Sequence, residues 1–381
     1  MRLAVVTTGQ GVGGAEMMLY KLLARLNSEK CSVSVFSLLG EEVFAHRLRS
    51  HCITVQTAGL RAGLDGLRGL LRMRKALVQF NPDLVQGWMY HGNLAALLLT
   101  WSLGKKRPVF WGIRQSLYSL EAEKPTTAWC IRLCARMSSY VAGVVYNSTM
   151  GAGHHEAVGF DKDRSMVIPN GFDTELFQPS MMRRRKTRES LGFSEKDLLV
   201  AVVGRYHPVK DHAGFLAAAA KVSAAVPAAR FVMVGTGVDT ENKQLGPIIL
   251  QLCLQDKVLL LGERSDMENL FPAFDMMVSS SLAEGFPNVV GEAMACAVPC
   301  VVTDVGDCAA VVGETGAVVP PGDPQSLADA IISLLVLPAE TRSLMGQAAR
   351  ARVCHRYSIE AVVSTYAALY AKETGLELSN A

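Results

Sequence analysis

Two carboxylates, Glu284 and Glu292, flank a short turn-forming stretch in the second half of the chain. A strand-like run, residues 275–281, precedes them, and a helix-like run, residues 292–296, follows, so both acids lie around a strand-to-helix turn. Open α/β sheets bind ligands at such turns, and N–H groups at a helix N-terminus suit a diphosphate. Carboxylates repel phosphate, so we expect them to accept hydrogen bonds from hydroxyls. The pattern indicates a sugar nucleotide, although Glu292 could instead simply complement a helix dipole.

Two cations, Arg205 and Lys210, lie in a short segment that follows the apolar run 198–203. At the carboxyl end of a strand, a guanidinium and an ammonium group are suited to a diphosphate leaving group. The alternative is that both are ordinary solvated surface cations. Residues 262–266 follow another strand-like run and form a loop that could pass over a nucleobase.

A glycine-rich loop, residues 9–14, follows the first strand-like run and fits the G-x-G-x-x-G pattern of dinucleotide-binding proteins. That use requires an acidic residue about 20 residues further on, at the end of the second strand. The nearest acids, Glu41 and Glu42, are displaced beyond a glycine, which disfavours a dehydrogenase. Gly13 and Gly14 would then serve to let the backbone approach a phosphate or a sugar closely.

Length and composition narrow the class of protein. A chain of 381 residues, half of them apolar and 19% charged, is a globular protein of two or three domains. Its apolar runs are too short for a transmembrane helix, and its net charge of +3 is too small to indicate nucleic-acid binding. Nine cysteines without zinc-site spacing indicate a reducing, cytoplasmic location.

Short apolar runs alternate with amphipathic stretches in both halves, as is typical of a parallel sheet covered on both faces. The first half has strand-like runs at 3–7, 32–37, 84–86, 109–112 and 141–146, and helix-like stretches at 15–26 and 64–80. The second half has strand-like runs at 198–203, 230–234, 258–261, 276–279, 299–303 and 317–319, and helix-like stretches at 214–225, 288–297 and 325–335.

The alternation of strand-like and helix-like runs breaks near residues 168–173 and restarts at residue 198. Between them lies a basic run, residues 183–188, which we expect to be exposed. We predict an N-terminal, acceptor-side domain of residues 1–177 and a donor-nucleotide-binding domain of residues 178–354. A C-terminal helix, residues 355–381, should return to the first domain. The predicted fold class is α/β, with two Rossmann-like, doubly wound parallel-sheet domains facing a cleft.

Taken together, these motifs resemble those of the family 4 retaining glycosyltransferases of GT-B fold, in the bacterial surface-polysaccharide branch. The resemblance covers nearly the whole chain and is strongest over residues 165–335. It implies a metal-independent hexosyltransferase with no cofactor. The enzyme would transfer a sugar from a UDP-linked donor to a lipid-linked saccharide acceptor in polysaccharide biosynthesis. The motifs that carry it are Gly13-Gly14-Ala15-Glu16, Asn170-Gly171-Phe172-Asp173, Gly204-Arg205 with Lys210-Asp211, Gly262 with Arg264 and Asp266, and Glu284-Gly285-Phe286-Pro287 with Glu292-Ala293-Met294-Ala295.

The resemblance also implies roles for single residues. Arg205 and Lys210 would hold the donor diphosphate, Glu284 the hydroxyls of the donor sugar, and Glu292 the ribose hydroxyls. The remaining donor-binding residues would lie beside the sugar and phosphates, flank the base, or close on the diphosphate; they are Gly285, Phe286, Pro287 and Asn288, Glu263 and Arg264, and Gly13 and Gly14. The leaving phosphate would accept the acceptor's proton in a front-face displacement, so no separate base is required.

The chain departs from the family pattern after the run 109–112. Many relatives carry a His there, whereas this sequence has Arg114 and Gln115. Arginine cannot act as a base at neutral pH, so we expect Arg114 to bind a phosphate or carboxylate on a substrate. His91 is the histidine that we expect to face the cleft, and a structural role is its alternative.

A basic amphipathic stretch, residues 60–75, could lie on anionic lipid, or it could simply cover the sheet. Together with Lys105, Lys106 and Arg107 and the apolar run 97–103, it predicts peripheral attachment at the inner face of the cell membrane. Two other functions stay open from the sequence alone: a non-hydrolysing sugar-nucleotide epimerase, and a non-catalytic sugar-nucleotide-binding protein.

Overall fold

The chain folds into two compact units. The computed structural model describes residues 1–9, 13–40, 43–60, 64–104, 106–121 and 123–376. Unit 1 consists of residues 1–171 and 359–381, and unit 2 consists of residues 172–358. The chain therefore passes from unit 1 to unit 2 after Gly171 and returns after Ser358. The predicted domain limits, residues 177 and 354, lie six residues after the first of these points and four residues before the second.

Within the described residues, unit 1 is built on a sheet of seven strands in the order β3-β2-β1-β4-β5-β6-β7. Neighbouring strands run parallel, so their carboxyl ends share one edge. The central strands β4 and β5 are buried along their whole length, as a sheet covered on both faces requires. The strands are β1 (Arg2–Thr7), β2 (Ser32–Ser37), β3 (Thr54–Thr57), β4 (Leu84–Trp88), β5 (Val109–Ile113), β6 (Gly143–Tyr146) and β7 (Ser165–Val167).

Helices connect successive strands of unit 1 and cover both faces of its sheet. They are α1 (Gly14–Leu26), α2 (Val43–Ser50), α3 (Leu64–Phe80), α4 (Met89–Trp101), α5 (Pro125–Met137) and α6 (Thr149–Ala157). The last helix of the chain, α15 (Ile359–Thr374), also belongs to unit 1 and packs against α1. Its Tyr366 and Tyr370 are fully buried in the same core as Leu3 and Val5 of β1.

Unit 2 has a parallel sheet of six strands, counted over the part of the chain that the structure describes, in the order β10-β9-β8-β11-β12-β13. The strand order reverses beside β8, because β9 lies on one side of it and β11 on the other. Ligands bind at such a switch point in open α/β sheets. The strands are β8 (Leu198–Val203), β9 (Ala229–Val234), β10 (Val258–Leu260), β11 (Met276–Ser279), β12 (Cys300–Thr303) and β13 (Ala317–Val319).

The helices of unit 2 enclose two apolar cores, one on each face of its sheet. They are α7 (Met181–Ser190), α8 (His212–Ala225), α9 (Leu245–Gln251), α10 (Met267–Leu270), α11 (Asn288–Ala295), α12 (Cys308–Val312), α13 (Pro324–Leu335) and α14 (Ala339–Arg356). Among the described residues of both units, every helix is too short or too polar to cross a bilayer.

The prediction that the basic run 183–188 is an exposed segment was wrong. It forms helix α7, and Arg188 is only 1% exposed. The guanidinium of Arg188 donates to Asp275 Oδ2 at 3.2 Å, and that of Arg184 donates to Asp275 Oδ1 at 2.8 Å. Two cations that share one carboxylate make this run part of the folded unit, because a buried charge requires such pairing.

Candidate functional site

The loops that follow the strands of unit 2 meet at the carboxyl edge of its sheet. Main-chain hydrogen bonds join the loops after β8, β11 and β12: Leu282 N–H donates to Val209 O at 2.7 Å, and Asp307 N–H donates to Gly285 O at 3.1 Å. The loop after β8 is joined in the same way to the loop after β9, since Tyr206 N–H donates to Thr236 O at 2.8 Å. The loops at this edge are therefore held together by hydrogen bonds between their main chains.

Lys210 and Glu284 form an ion pair at this edge, between Nζ and Oε1. The hydroxyl of Ser281 donates to the same Oε1 at 2.7 Å. The side chains of Lys210 and Glu284 are 24% and 14% exposed, so both are accessible from solvent but are largely enclosed by the loops. Two predicted site residues that lie 74 positions apart in the chain are thus brought into contact.

The main chain beneath this pair is fixed by buried hydroxyl groups. Ser280 Oγ donates to Lys210 O at 2.9 Å, and Thr303 Oγ1 donates to Ser281 O at 2.6 Å. Both hydroxyl-bearing residues are buried. Because each bond ties the segment after β11 to a neighbouring strand or loop, the positions of Lys210 and Glu284 follow from the sheet.

Gly306 sets the path of the chain at Glu284. Its φ of +57° lies in the left-handed region, and a Cβ built on it would be 2.5 Å from Glu284 O and 2.6 Å from Gly285 O. Only a glycine allows this approach without displacing the backbone. The sequence alone did not single out Ser281, Thr303 or Gly306. The serine run 279–281 directly after β11 was the available signal for the first of these.

The other end of the Lys210 loop is fixed by Asp211. This residue has a φ of +48°, caps α8, and accepts a hydrogen bond from Gly214 N–H at 3.0 Å. Asp211 thereby ends the loop directly after Lys210 and starts the helix. His212 follows it, is 3% exposed, and packs its ring 5.5 Å from that of Tyr206. Burial lowers the pKa of His212, because the charged form of the ring is disfavoured away from water.

Arg205 lies in the same loop as Lys210 but does not join the ion pair. It is exposed, and its guanidinium has no hydrogen-bond or ionic partner among the residues that the structure describes. An unpaired guanidinium at the carboxyl edge remains available to an anion.

Glu263 and Arg264 lie in the loop that follows β10, and β10 is an edge strand of the sheet. Glu263 Oε2 accepts from Thr236 Oγ1 at 2.9 Å. Arg264 donates to both carboxylate oxygens of Asp266, at 2.8 and 2.7 Å. The hydrogen bonds of this pair raise the pKa of Arg264 and lower that of Asp266. Both predicted base-flanking residues are exposed; Arg264 is held within its own loop, and Glu263 is held by the loop after β9.

The turn before α11 is anchored by aromatic packing. The ring of Phe286 is 7% exposed and stacks on Phe172, with 5.9 Å between centroids and 21° between planes. Pro287 precedes the first residue of α11, Asn288, as predicted for a turn at a helix N-terminus. Glu292 is half-buried in the second turn of this helix. It is therefore not a first-turn acid of the kind that a helix dipole favours.

In unit 1, Gly13 and Gly14 begin α1 at the carboxyl edge of that sheet. Gly13 is the N-cap, and a Cβ on it would be 2.4 Å from Glu16 Oε2. The predicted glycine loop continues into residues 10–12, which lie outside the described residues. His91 is half-buried in the first turn of α4 and lines an apolar pocket of about 580 Å³. The other lining residues are Leu38, Leu94, Ala95, Leu98, Pro125, Thr126, Trp129 and Cys130.

Arg114 is enclosed within unit 1 and is 7% exposed. Its Cζ lies 4.8 Å from the ring centroid of Trp88 and 5.6 Å from that of Tyr366, and its Nη1 donates to Ile168 O at 2.7 Å. Burial lowers its pKa to about 9. This arrangement favours a packing role that ties α15 to the sheet. The predicted substrate contact of Arg114 remains a prediction.

The predicted site residues thus fall into two groups. Those of unit 2 lie along the carboxyl edge of one sheet, with Lys210 and Glu284 in contact, Arg205 in the same loop as Lys210, and Glu292 on the helix that follows Glu284. Gly13, Gly14 and His91 lie at the carboxyl edge of the sheet of unit 1. In the described part of the chain, no three His, Cys, Asp or Glu side chains are grouped so that they could hold a metal ion.

Two Rossmann-like units with a cation and a carboxylate at such an edge are typical of glycosyltransferases of GT-B fold. The chain matches the family model "Glycosyltransferase Family 4" over residues 12–176 and the model "Glycosyl transferases group 1" over residues 183–352. It belongs to the family 4 glycosyltransferases, as its motifs predicted.

Two similar curated proteins are enzymes with defined substrates. N-acetyl-alpha-D-glucosaminyl L-malate synthase of Bacillus anthracis is 32% identical over 218 residues, which is 57% of this chain and 55% of the relative. UDP-Gal:alpha-D-GlcNAc-diphosphoundecaprenol alpha-1,3-galactosyltransferase of Escherichia coli is 33% identical over 147 residues, 38% of each chain. The matches therefore span about half or less of these relatives.

A similar solved structure is that of HepE from Anabaena, in complex with UDP. It superimposes with a TM-score of 0.84 over 98% of this chain and 100% of that chain, at 23% identity. At this identity the likeness shows the shared fold.

Proposed function

We propose that the protein is a retaining glycosyltransferase that moves a sugar from a UDP-linked donor to a saccharide acceptor. The observation that carries this proposal is the Lys210–Glu284 pair at the carboxyl edge of unit 2. It places a cation for a diphosphate next to a carboxylate for sugar hydroxyls, which is the combination that a sugar nucleotide requires.

In this proposal the donor spreads along the carboxyl edge of unit 2. Lys210 and Arg205 hold the diphosphate, Glu284 accepts hydrogen bonds from the donor sugar, and Glu292 accepts them from the ribose. The main chain at residues 285–288 lies beside the sugar and phosphates, and Glu263 and Arg264 flank the base. The choice of UDP is supported by related proteins: HepE was solved with UDP and with UDP-glucose, and the Escherichia coli relative is named for UDP-Gal.

The proposed chemistry depends on charge stabilisation. As the glycosidic bond breaks, negative charge grows on the leaving diphosphate, and preorganised cations stabilise it without reorganising. Lys210 is preorganised because the loop that carries it is bonded at Ser280, Asp211 and Leu282. The leaving phosphate then takes the proton of the attacking hydroxyl on the same face, which retains the anomeric configuration. We propose that this step uses no metal ion.

The acceptor is proposed to be a lipid-linked saccharide used in polysaccharide biosynthesis, bound on the side of unit 1. The Escherichia coli relative is named for a diphosphoundecaprenol-linked acceptor. The apolar pocket beside His91 is compatible with the hydrocarbon part of such a molecule, since its lining is almost entirely apolar. His91 itself is proposed to contact the substrate.

Peripheral attachment to the membrane is supported by a patch at the end of α4. Trp101 and Tyr140 are 50% and 67% exposed, and their rings pack edge to face at 5.7 Å. Together with Lys106, Arg107 and Arg164 they line a pocket of about 580 Å³. Exposed aromatic rings beside cations are typical of proteins that bind anionic membrane surfaces.

Helix α3 gives weaker support for this attachment than the patch does. Its Met73 and Leu77 are buried in the core, as expected of a helix that covers a sheet, whereas Leu71 is 58% exposed. Two of the predicted basic residues, Arg61 and Lys105, lie outside the described residues. The membrane test is co-sedimentation with phosphatidylglycerol vesicles. Binding should weaken as salt is added, and it should be weaker for the double variant W101A/Y140A than for the wild type. The control variant M182A, at a residue of unit 2 that is 82% exposed, should bind like the wild type. Equal binding by the wild type and both variants would contradict a role of the patch in membrane attachment.

The transferase activity is tested in two steps. Thermal shift with a panel of UDP-sugars and the matching GDP-sugars identifies the donor, because a ligand that binds the folded state raises Tm. The stabilising donor is then incubated with and without alkyl glycosides. Transfer only in the presence of a glycoside, with retained anomeric configuration, supports the proposal. Conversion of the donor to an epimer without acceptor, or donor binding with no reaction, contradicts it.

A further inference from the structure

We propose that Gln115 selects the acceptor by receiving a hydrogen bond from one of its hydroxyl groups at Oε1. This inference rests on the proposed function, since it names a specificity residue for the same transfer reaction. Gln115 follows β5 at the carboxyl edge of the sheet of unit 1 and is half-buried. His91 and Gly13 lie at the same edge, after β4 and β1.

The orientation of the Gln115 amide is set by its partners. Its Nε2 donates to Glu123 Oε1 at 3.3 Å and to Tyr90 Oη at 3.2 Å. A carboxylate can only accept hydrogen bonds, so the NH₂ group must be the one that faces Glu123. Both N–H bonds of the amide are then used within the protein.

The hydroxyl of Tyr90 is oriented in turn by His155, which is fully buried. His155 Nδ1 lies 2.6 Å from Gly151 O, and its Nε2 lies 2.8 Å from Tyr90 Oη. Since a carbonyl oxygen only accepts, Nδ1 carries the proton and Nε2 accepts from the tyrosine. Burial lowers the pKa of His155 to about 4, which keeps the ring neutral in this tautomer.

The hydrogen bonds of Gln115, Tyr90 and His155 therefore run in one direction, from the amide through the phenol to the buried imidazole. Because the Tyr90 proton is committed to His155, the Tyr90 oxygen can only accept from Gln115. The amide cannot flip without losing both of its bonds and placing its oxygen against the Glu123 carboxylate. These hydrogen bonds therefore fix the orientation of the Gln115 amide, so that its Oε1 is held as a hydrogen-bond acceptor on the side away from Tyr90 and Glu123.

Oε1 is the atom that remains. It accepts no hydrogen bond from any described residue, and the Gln115 residue is half-buried rather than enclosed. An acceptor oxygen held in a fixed orientation pairs with a donor, and on a saccharide the available donors are its hydroxyl and amide groups. A site that offers such a partner discriminates against an analogue that lacks the hydroxyl.

The test uses octyl glycosides of glucose, galactose and N-acetylglucosamine, with their monodeoxy analogues, and the UDP-sugar that the wild type turns over. We expect Q115A to raise the KM for the accepted glycoside about tenfold, the value of one neutral hydrogen bond, and to leave the donor KM within about twofold. The wild type should reject one deoxy analogue, and Q115A should no longer distinguish it from the parent glycoside. A purely structural role would not remove that selectivity.

The variant Y90F provides a second test, because it keeps the ring and removes only the hydroxyl that orients the amide. It should weaken the same deoxy discrimination with a smaller change in KM. Undiminished selectivity in Q115A, or an equal rise in the donor and acceptor KM, would overturn the inference while leaving the transferase proposal intact. If the wild type transfers to none of the glycosides, the transferase proposal fails and this inference fails with it.

Discussion

Lys210 and Glu284 are ion-paired through the same carboxylate oxygen that accepts a hydrogen bond from the hydroxyl of Ser281. Each charge is thereby partly neutralised before any ligand arrives. A bound diphosphate can take over the ammonium group while sugar hydroxyls take over the carboxylate, so neither charge is left unpaired in the bound state. The pair is therefore suited to a ligand that brings an anion and hydrogen-bond donors together.

Removing the ammonium group should impair the chemical step. We expect K210A to lower kcat/KM for transfer about 100-fold, or about 3 kcal/mol of transition-state stabilisation, which is typical for the loss of one preorganised group. E284Q should abolish measurable transfer. The matched control is K221A on α8, which loses only a surface bond to Gln325 and should keep wild-type rates. Steady-state kinetics check this, and near-wild-type turnover of K210A or E284Q would contradict the assigned roles.

The close approach of Gly306 to the main chain of Glu284 predicts a second effect. G306A should lower transfer at least tenfold and destabilise unit 2 by about 2 kcal/mol, because the new Cβ must displace two carbonyl oxygens and adopt positive φ. G322A is the control: its φ is +70°, but a Cβ there would meet only Leu282 Cδ2, at 3.7 Å. Urea unfolding and transfer assays on both variants separate backbone strain from displacement of Glu284. Equal activity loss in the two would argue against the displacement.

Variants of the enclosed residue Arg114 can distinguish a packing role from a role in catalysis. R114M should keep the free energy of unfolding within about 1 kcal/mol of wild type, since an apolar side chain of similar volume often replaces a buried charge without cost. R114A should lose about 3 kcal/mol through the cavity that it leaves. Transfer by R114M should stay within tenfold of wild type. A fall of more than 100-fold at unchanged Tm would instead support the predicted contact with substrate.

Burial of His155 predicts how stability depends on pH. Its pKa is about 4 in the folded protein against an ordinary 6.5, so the unfolded chain binds the proton more readily. The contribution is fully present above pH 6.5 and is lost as the pH falls towards 4, by about 3 kcal/mol in total. Denaturant unfolding at several pH values should show this slope, and H155Q should flatten it. His212, whose pKa is also lowered, should leave a residual slope in the same direction.

The sequence predicted strands well where they are apolar and central. The strands β2, β8 and β11 have their predicted bounds, because each is a mostly buried run between turn residues. The edge strand β13 also has its predicted bounds although it is partly exposed, because all three of its residues are apolar. The strands β3 and β7 were not predicted: both lie at the edges of the unit 1 sheet and are short and partly polar. These two edge strands bury little side-chain surface, and their polar residues weaken the apolar pattern that would predict them.

The site residues divide in the same way. Lys210 and Glu284 could be predicted because both follow apolar strands, and the carboxyl ends of parallel strands meet at one edge. The part played by Gly306 depends on how two loops approach each other, and no spacing in the chain encodes that distance. Arg114 lies after a strand as predicted, but its enclosure requires Tyr366 from a helix some 250 positions away.

The return of α15 to unit 1 has a consequence for the order in which the protein forms on the ribosome. Unit 2 is a continuous stretch whose two ends are joined, since Phe172 N–H donates to Tyr357 O at 2.8 Å, and it can be completed as soon as Ser358 emerges. Unit 1 begins first but lacks Tyr366 and Tyr370 of its core until translation reaches them. The half of the protein that is synthesised first is therefore the half that finishes folding last.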